Sequence, residues 1–78
     1  MMIKTRRKYI YRYRKEFHTD YGGYVAYGIE LSSGDYLLGY FPDVFLDEQK
    51  AIDFVKMCNK KQIEPCQIQD AIEDALLL

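Results

Sequence analysis

Cysteine, histidine and long apolar runs are scarce in this sequence, and each scarcity excludes a class of protein. Two cysteines, Cys58 and Cys66, are too few for the disulfide framework of a small secreted domain. One histidine, His18, together with these two cysteines, does not supply the roughly four ligands of a zinc site. No apolar run approaches the roughly 18–20 residues that cross a bilayer. We therefore expect no metal site and no association with a membrane.

Motifs of catalysis and targeting are also missing. The glycines match neither nucleotide-binding fingerprint, and nothing in the spacing relates His18 to a cysteine nucleophile. The charged N-terminus has no apolar segment of the kind that secretory signals contain. We therefore predict a protein that is not an enzyme, has no catalytic residues and binds no cofactor. Its expected location is the cytoplasm, where both thiols would stay free.

The composition is that of one small globular domain. Of the 78 residues, 49% are apolar and 29% are charged, which favours a single modest core over disorder. The net charge of −1 conceals an uneven distribution, because residues 1–16 contain seven basic residues and one acidic residue. Two interpretations stay open. The basic segment could be neutralised by acidic helices of this chain or of a second copy, or it could bind an external anion.

Alternation at period two predicts three strands in the first half of the chain. The first spans residues 8–17, and four aromatic residues fall on one of its faces: Tyr9, Tyr11, Tyr13 and Phe17. The second spans residues 24–31 and leads into a hairpin turn with Ser33 and Gly34 at its centre. The third strand ends at Pro42, since proline cannot donate to a central ladder.

The predicted turn fixes the register between the second and third strands. It places three apolar pairs on one face: Leu31 with Tyr36, Ile29 with Leu38, and Tyr27 with Tyr40. On the other face, Gly28 lies opposite Gly39, which leaves a shallow trough. We expect this trough to mark the close approach of a neighbouring element or a local bend.

Two amphipathic helices are predicted in the second half of the chain. Asp47 is the expected N-cap of the first, which runs to about Gln62, and Pro65 opens the second, which runs to about Leu77. The prediction is thus one α+β domain over residues 1–78, of order βββαα, with about residues 1–7 frayed. Both helices would pack on one face of the antiparallel sheet. The predicted core comprises Val25, Tyr27, Ile29, Leu31, Leu38, Tyr40, Phe54, Val55, Cys58, Ile68, Ile72 and Leu76.

Residues 27–77 resemble a short bacterial protein family of unknown function, found chiefly in clostridia and their relatives. The resemblance rests on five short features: Tyr27-Gly28-Ile29, Asp43-Val44, Asn59, Pro65 and Asp70-Ala71-Ile72-Glu73-Asp74. One departure is Gln67, where the family often has a histidine. The resemblance implies a cytoplasmic bacterial protein that acts alone or through a partner, and it implies no activity.

The one constellation with a physical rationale for binding is the basic and aromatic first strand. Its candidate surface residues are Arg6, Arg7, Lys8, Tyr11, Arg12, Tyr13, Arg14 and Lys15. Aromatic faces can stack on unpaired bases while arginine and lysine neutralise phosphates. Strand alternation argues against this use, because it separates most tyrosines from the arginines.

Eight tyrosines exceed what one small core can readily enclose, and exposed tyrosine is common at interfaces. The first strand could also offer an edge for pairing with a partner or with a second copy of itself. We therefore predict a protein-interaction or self-associating module, with a protein partner or a homodimer. The alternative is single-stranded nucleic-acid binding through the first strand.

Overall fold

The computed structural model describes residues 8–77, which form a three-stranded antiparallel sheet followed by two helices. Strands β1, β2 and β3 span Tyr9–His18, Tyr24–Ser33 and Tyr36–Phe45. They lie in the order β1-β2-β3, so β2 is central and the other two are edges. Helices α1 and α2 span Glu48–Lys61 and Ile68–Leu76. The predicted α+β fold of order βββαα is confirmed, whereas the predicted fraying of residues 1–7 lies outside the described residues.

Strands β1 and β2 form a long, regular hairpin. Their pairing runs without a register shift from Tyr9 opposite Ser33 to His18 opposite Tyr24. A single helical turn at Asp20–Gly22 joins them, and Gly23 follows it with a φ of +96°. Because the register is unbroken, every second residue of β1 points to the same face along the whole strand.

The predicted register between β2 and β3 is wrong. The turn centres on Gly34 and Asp35, so that Ser33 faces Tyr36. Gly34 has a φ of +58° at the first central position, the place that glycine takes in type II′ hairpin turns. Together with an extra residue in β3, this turn places Leu31 opposite Gly39, so Gly28 does not lie opposite that glycine.

A bulge at Leu38 then exchanges the two faces of β3. Ser32 faces Leu37 whereas Leu31 faces Gly39, so Leu38 is an extra residue. An extra residue reverses the face of every side chain that follows it. Tyr40 therefore lies opposite Glu30 on the face away from the helices, and Leu38 is 43% exposed. Neither residue belongs to the core, contrary to the prediction.

Strand β3 also continues past Pro42 rather than ending there. A second irregularity separates the pairs that Ile29 and Tyr27 make with Phe41 and Phe45. Pro42 lies within it, on an edge strand, where a missing N–H breaks no ladder.

The helices begin largely where the sequence predicts. The side chain of Asp47 accepts a hydrogen bond of 2.8 Å from the backbone N–H of Gln49, which confirms Asp47 as the N-cap of α1. Gln62 ends α1 in the left-handed conformation, with a φ of +52°. Pro65 opens a short turn, and α2 follows directly from it.

The core lies between the sheet and the helices. The cluster of buried side chains consists of Tyr11, Tyr27, Ile29, Leu31, Phe45, Ala51, Phe54, Val55, Cys58, Ile68 and Ile72. Cys58 is buried in this cluster, as predicted, and packs there as a small hydrophobe. Its burial raises the pKa of the thiol to about 11. Val25 and Leu76 are exposed and lie outside this cluster, contrary to prediction. Neither helix is long and apolar enough to cross a membrane.

Candidate interaction surface

The tyrosines of β1 lie on the face that the helices cover. Tyr11 is 2% exposed, and its hydroxyl donates a hydrogen bond to the backbone carbonyl of Ile63. Burial raises its pKa to about 12. Tyr13 is half-buried and donates to the carboxylate of Glu48 at 3.1 Å. The prediction that Tyr11 contributes to a binding surface is therefore wrong, because its ring is a core side chain.

The arginines of β1 lie on the opposite, open face of the sheet. Arg12 and Arg14 both contact Glu30 of β2, at 3.7 Å and 2.6 Å. Glu30 is 7% exposed, so the two guanidinium groups cover a carboxylate that would otherwise be buried without a counter-charge. Arg14 also lies over the Tyr40 ring, 5.9 Å from its centroid. These contacts neutralise a part of the basic segment within the chain.

The remaining predicted surface residues are divided between the two ends of β1. Lys8 is exposed just before the strand, and Lys15 is exposed near its far end. Arg6 and Arg7 lie outside the described residues. Among the described residues, the structure therefore separates Arg12 and Arg14 from Tyr11 and Tyr13, which lie on the opposite face of the sheet.

A polar cluster on the open face surrounds Glu16. Its carboxylate accepts hydrogen bonds from the hydroxyl of Tyr40 and from the backbone N–H of Asp43, and it lies 2.8 Å from Nε2 of His18. Burial raises the pKa of Glu16, but these hydrogen bonds lower it by a larger amount. The pKa of Glu16 is therefore below its ordinary value. His18 is partly buried at the end of β1 and stacks on Tyr24, with 4.8 Å between the ring centroids.

Replacing this carboxylate by an amide (Glu16→Gln) should lower the free energy of unfolding by about 1–2 kcal/mol at pH 7. Because the folded pKa of Glu16 is depressed, its stabilisation is complete above its unfolded pKa and is lost as the pH falls through the folded pKa. The difference in the free energy of unfolding between wild type and Glu16→Gln should therefore be constant above about pH 5 and shrink below about pH 4. Urea unfolding at several pH values measures it. An equal difference at acid pH would contradict the assignment, and Glu73→Gln on the exposed face of α2 is the control.

Two amide side chains of the α1 region close one part of the β1 edge. Asn59 accepts from the N–H of Tyr11 at 2.7 Å and donates to its carbonyl at 3.0 Å. Gln62 makes the same pair of bonds with Tyr9, both at 2.9 Å. Each amide thus imitates a residue of a neighbouring strand. Sequence patterns gave no sign of this role, since it depends on where α1 crosses the sheet.

Within residues 8–77, nothing outside the sheet pairs with the rest of the β1 edge. In an antiparallel pair, backbone groups of alternate residues point to the partner and away from it. The backbone N–H and C=O groups of Tyr9 and Tyr11 point away from β2, toward Gln62 and Asn59. Those of Tyr13, Lys15 and Phe17 therefore point the same way. No described residue outside the sheet hydrogen-bonds to those backbone groups. We call residues 13–17 the open segment of the edge.

Apolar side chains lie beside this open segment. Phe17 is 77% exposed, and Val25 opposite it on β2 is 36% exposed. Tyr21 in the connecting turn is almost fully exposed. The hairpin thus combines unpaired backbone groups with apolar surface, the two features that strand-adding partners use.

Two other surfaces of the described residues are less suited to a strand-adding partner than the open segment. The β3 edge is interrupted by its bulge and by Pro42, which makes it a poor template for strand addition. A groove of about 350 Å³ lies between α1 and α2, walled by Phe45, Phe54 and Met57. Lys50 and Asp53 also line this groove. Within residues 8–77, no three histidine, cysteine or acidic side chains come together to hold a metal ion.

Comparison with known proteins gives no relative: no family model, no curated protein and no solved structure matches this chain. The resemblance to a clostridial family therefore stays a prediction, and the geometry carries the functional interpretation.

Proposed function

We propose that this protein is a small, non-enzymatic interaction module that adds a strand of a partner polypeptide to the open segment of β1. The observation that carries this proposal is the contrast along one edge. Side chains of Asn59 and Gln62 pair the backbone of β1 at one end, whereas the backbone groups of Tyr13, Lys15 and Phe17 face outward. Main-chain hydrogen bonds to such a segment supply affinity, and neighbouring side chains supply specificity.

The exposed aromatic residues support the same proposal. Phe17 lies next to the open backbone groups, where a bound strand would cover its ring. Burial of an exposed aromatic side chain at an interface is strongly favourable. We place this function in the cytoplasm, in keeping with free Cys58 and Cys66.

The alternative function is binding of single-stranded nucleic acid. It needs bases stacked on tyrosines beside arginines that contact phosphates. In this protein Arg12 and Arg14 share the carboxylate of Glu30, and Tyr11 is buried on the opposite face. The geometry therefore favours a polypeptide partner over a nucleic acid.

Photo-crosslinking within native cells tests the proposal. A benzophenone amino acid at position 17 should give adducts with a polypeptide, because Phe17 borders the open segment. The same group at position 36 is the control, since Tyr36 is equally exposed, at 76%, but lies at the other hairpin. In the Lys15→Pro variant the adducts should disappear, because proline removes an outward N–H while the β1–β2 ladder stays intact.

Three results would contradict this function. They are equal adducts from positions 17 and 36, adducts that persist in Lys15→Pro, and adducts that are destroyed by nuclease. The last of these would favour the nucleic-acid alternative. Far-ultraviolet circular dichroism of each variant checks that the fold is retained.

A further inference from the structure

We infer that the strand added to the open segment is the same segment of a second copy, paired antiparallel about a two-fold axis at Lys15. This inference rests on the proposed function and names its partner. The open segment has three residues with outward backbone groups, Tyr13, Lys15 and Phe17. In this arrangement Tyr13 of each copy faces Phe17 of the other, and the two Lys15 residues face each other. All three outward residues of both copies are then paired.

The limits of the open segment select this register. Shifting the second copy by two residues one way places Phe17 opposite Tyr11, whose backbone Asn59 already occupies. Shifting it the other way places Tyr13 opposite Thr19, which lies beyond the end of β1. Only the register centred on Lys15 satisfies every outward group without displacing Asn59.

Charge complementarity on the open face supports a second copy as the partner. With Lys15 on the axis, Arg14 of each copy lies opposite Glu16 of the other, which sets a second carboxylate beside the Arg14–Glu30 contact and a cation beside Glu16. Residues 14 and 16 point their backbone groups to β2, and such pairs bring side chains closest together, with about 4.5 Å between Cα atoms. The partner strand thus presents an acid to a base and a base to an acid, as a self-complementary surface requires.

Aromatic pairing on the helix-covered face supports it as well. Phe17, largely exposed in one copy, would lie against the half-buried ring of Tyr13 in the other. The two-fold axis makes this contact twice. Aromatic cross-strand pairs stabilise a sheet beyond the area they bury.

Lys15 is the one unfavourable element of the arrangement, because two like charges meet at the axis. Its ammonium, however, leans along its own strand toward Phe17, 5.5 Å from the ring centroid. The two-fold axis directs the second ammonium the opposite way, so the charges diverge. A lysine in the middle of an open edge also discourages pairing with other chains.

Sedimentation velocity over about 1–500 µM protein tests the inference, because interfaces of a single strand pair are small and associate weakly. Wild type should form dimers and no larger species. Phe17→Ser should weaken dimerisation at least about tenfold, since it removes two aromatic pairs. Tyr36→Ser removes an equally exposed ring elsewhere and should leave the dissociation constant within about twofold.

The direction in which a substitution of Lys15 changes the dissociation constant of the dimer tests the second copy as the partner. Lys15→Thr removes the like charges at the axis and should strengthen dimerisation severalfold. A monomer at every concentration, or a dimer that Phe17→Ser leaves unchanged, would overturn the second copy as partner. Weaker association of Lys15→Thr would overturn the register centred on Lys15, because it would show that this lysine faces an acidic residue of the second copy rather than the other lysine. In those cases polypeptide adducts from position 17 would still support strand addition, whereas their absence would remove the proposed function as well.

Discussion

A Gly28→Ala variant is expected to lose about 2–4 kcal/mol of the free energy of unfolding. A Cβ atom on Gly28 would collide with the hydroxyl of Tyr40 and with a carboxylate oxygen of Glu16, and it would lie 2.6 Å from Cζ of Tyr40. These groups hydrogen-bond to one another directly over the glycine. The added methyl group therefore displaces both partners. This breaks the hydrogen bond between Tyr40 and Glu16 and forces the partly buried carboxylate of Glu16 to rearrange.

Urea unfolding of Gly28→Ala beside Gly39→Ala isolates this effect. A Cβ on Gly39 would meet only ring atoms of Phe41, at 3.6 Å or more, so this control should cost less than about 1 kcal/mol. In a Tyr40→Ala background, Gly28→Ala should cost less than half as much as in wild type, because one of the colliding groups is gone. Equal losses for the two glycine variants would show that Gly28 is required only as a strand residue.

Local sequence patterns predict the elements of this fold well. The alternation along β1 separates its tyrosines from its arginines as expected, and Asp47 caps α1. These features depend on neighbours within a few residues, where side-chain periodicity and capping act. The fold class follows from the order of the elements, since three strands and two amphipathic helices have few ways to bury their apolar faces.

Pairing between β2 and β3 could not be predicted in the same way. Gly34 indicates a turn but not which of its neighbours shares the centre, and one step along the chain changes every pair. The bulge at Leu38 moves Tyr40 to the open face, where its hydroxyl reaches Glu16. The close approach of a neighbouring element that the sequence predicts at Gly28 is found, but Gly28 does not face Gly39, and the prediction assigns the Tyr40 ring over Gly28 to the core.

The candidate site was only partly predictable for a similar reason. Composition indicates an unusual first strand, and the alternation predicts a possible edge. Which backbone groups of that edge stay open depends on Asn59 and Gln62, which lie about 50 residues further along the chain. Only the packing of α1 against β1 brings them there, and no local pattern encodes it.

The second large effect is expected at Tyr11, where Tyr11→Ala should cost about 3–5 kcal/mol of the free energy of unfolding. Its ring is buried among core side chains and its hydroxyl donates to Ile63. Domains of this size are typically stable by only about 4–12 kcal/mol, so this variant would lose a large fraction of its stability. Tyr11→Phe keeps the ring and should cost about 1–2 kcal/mol, which reports the hydrogen bond alone. Tyr21→Ala, at an almost fully exposed tyrosine, should change stability by less than about 0.5 kcal/mol.

These three tyrosine variants also separate the two candidate functions. If Tyr11 stacked on bases, Tyr11→Phe would keep both the fold and the affinity for single-stranded oligonucleotides, and Tyr11→Ala would lose affinity at unchanged stability. If Tyr11 is a core residue, the loss of stability in thermal and urea unfolding should increase in the order Tyr21→Ala, Tyr11→Phe, Tyr11→Ala. A stable Tyr11→Ala protein would contradict the buried position of the ring. The expected order assigns Tyr11 to the core, which leaves the open segment and the exposed ring of Phe17, rather than a stacking surface for bases, as the surface for a partner.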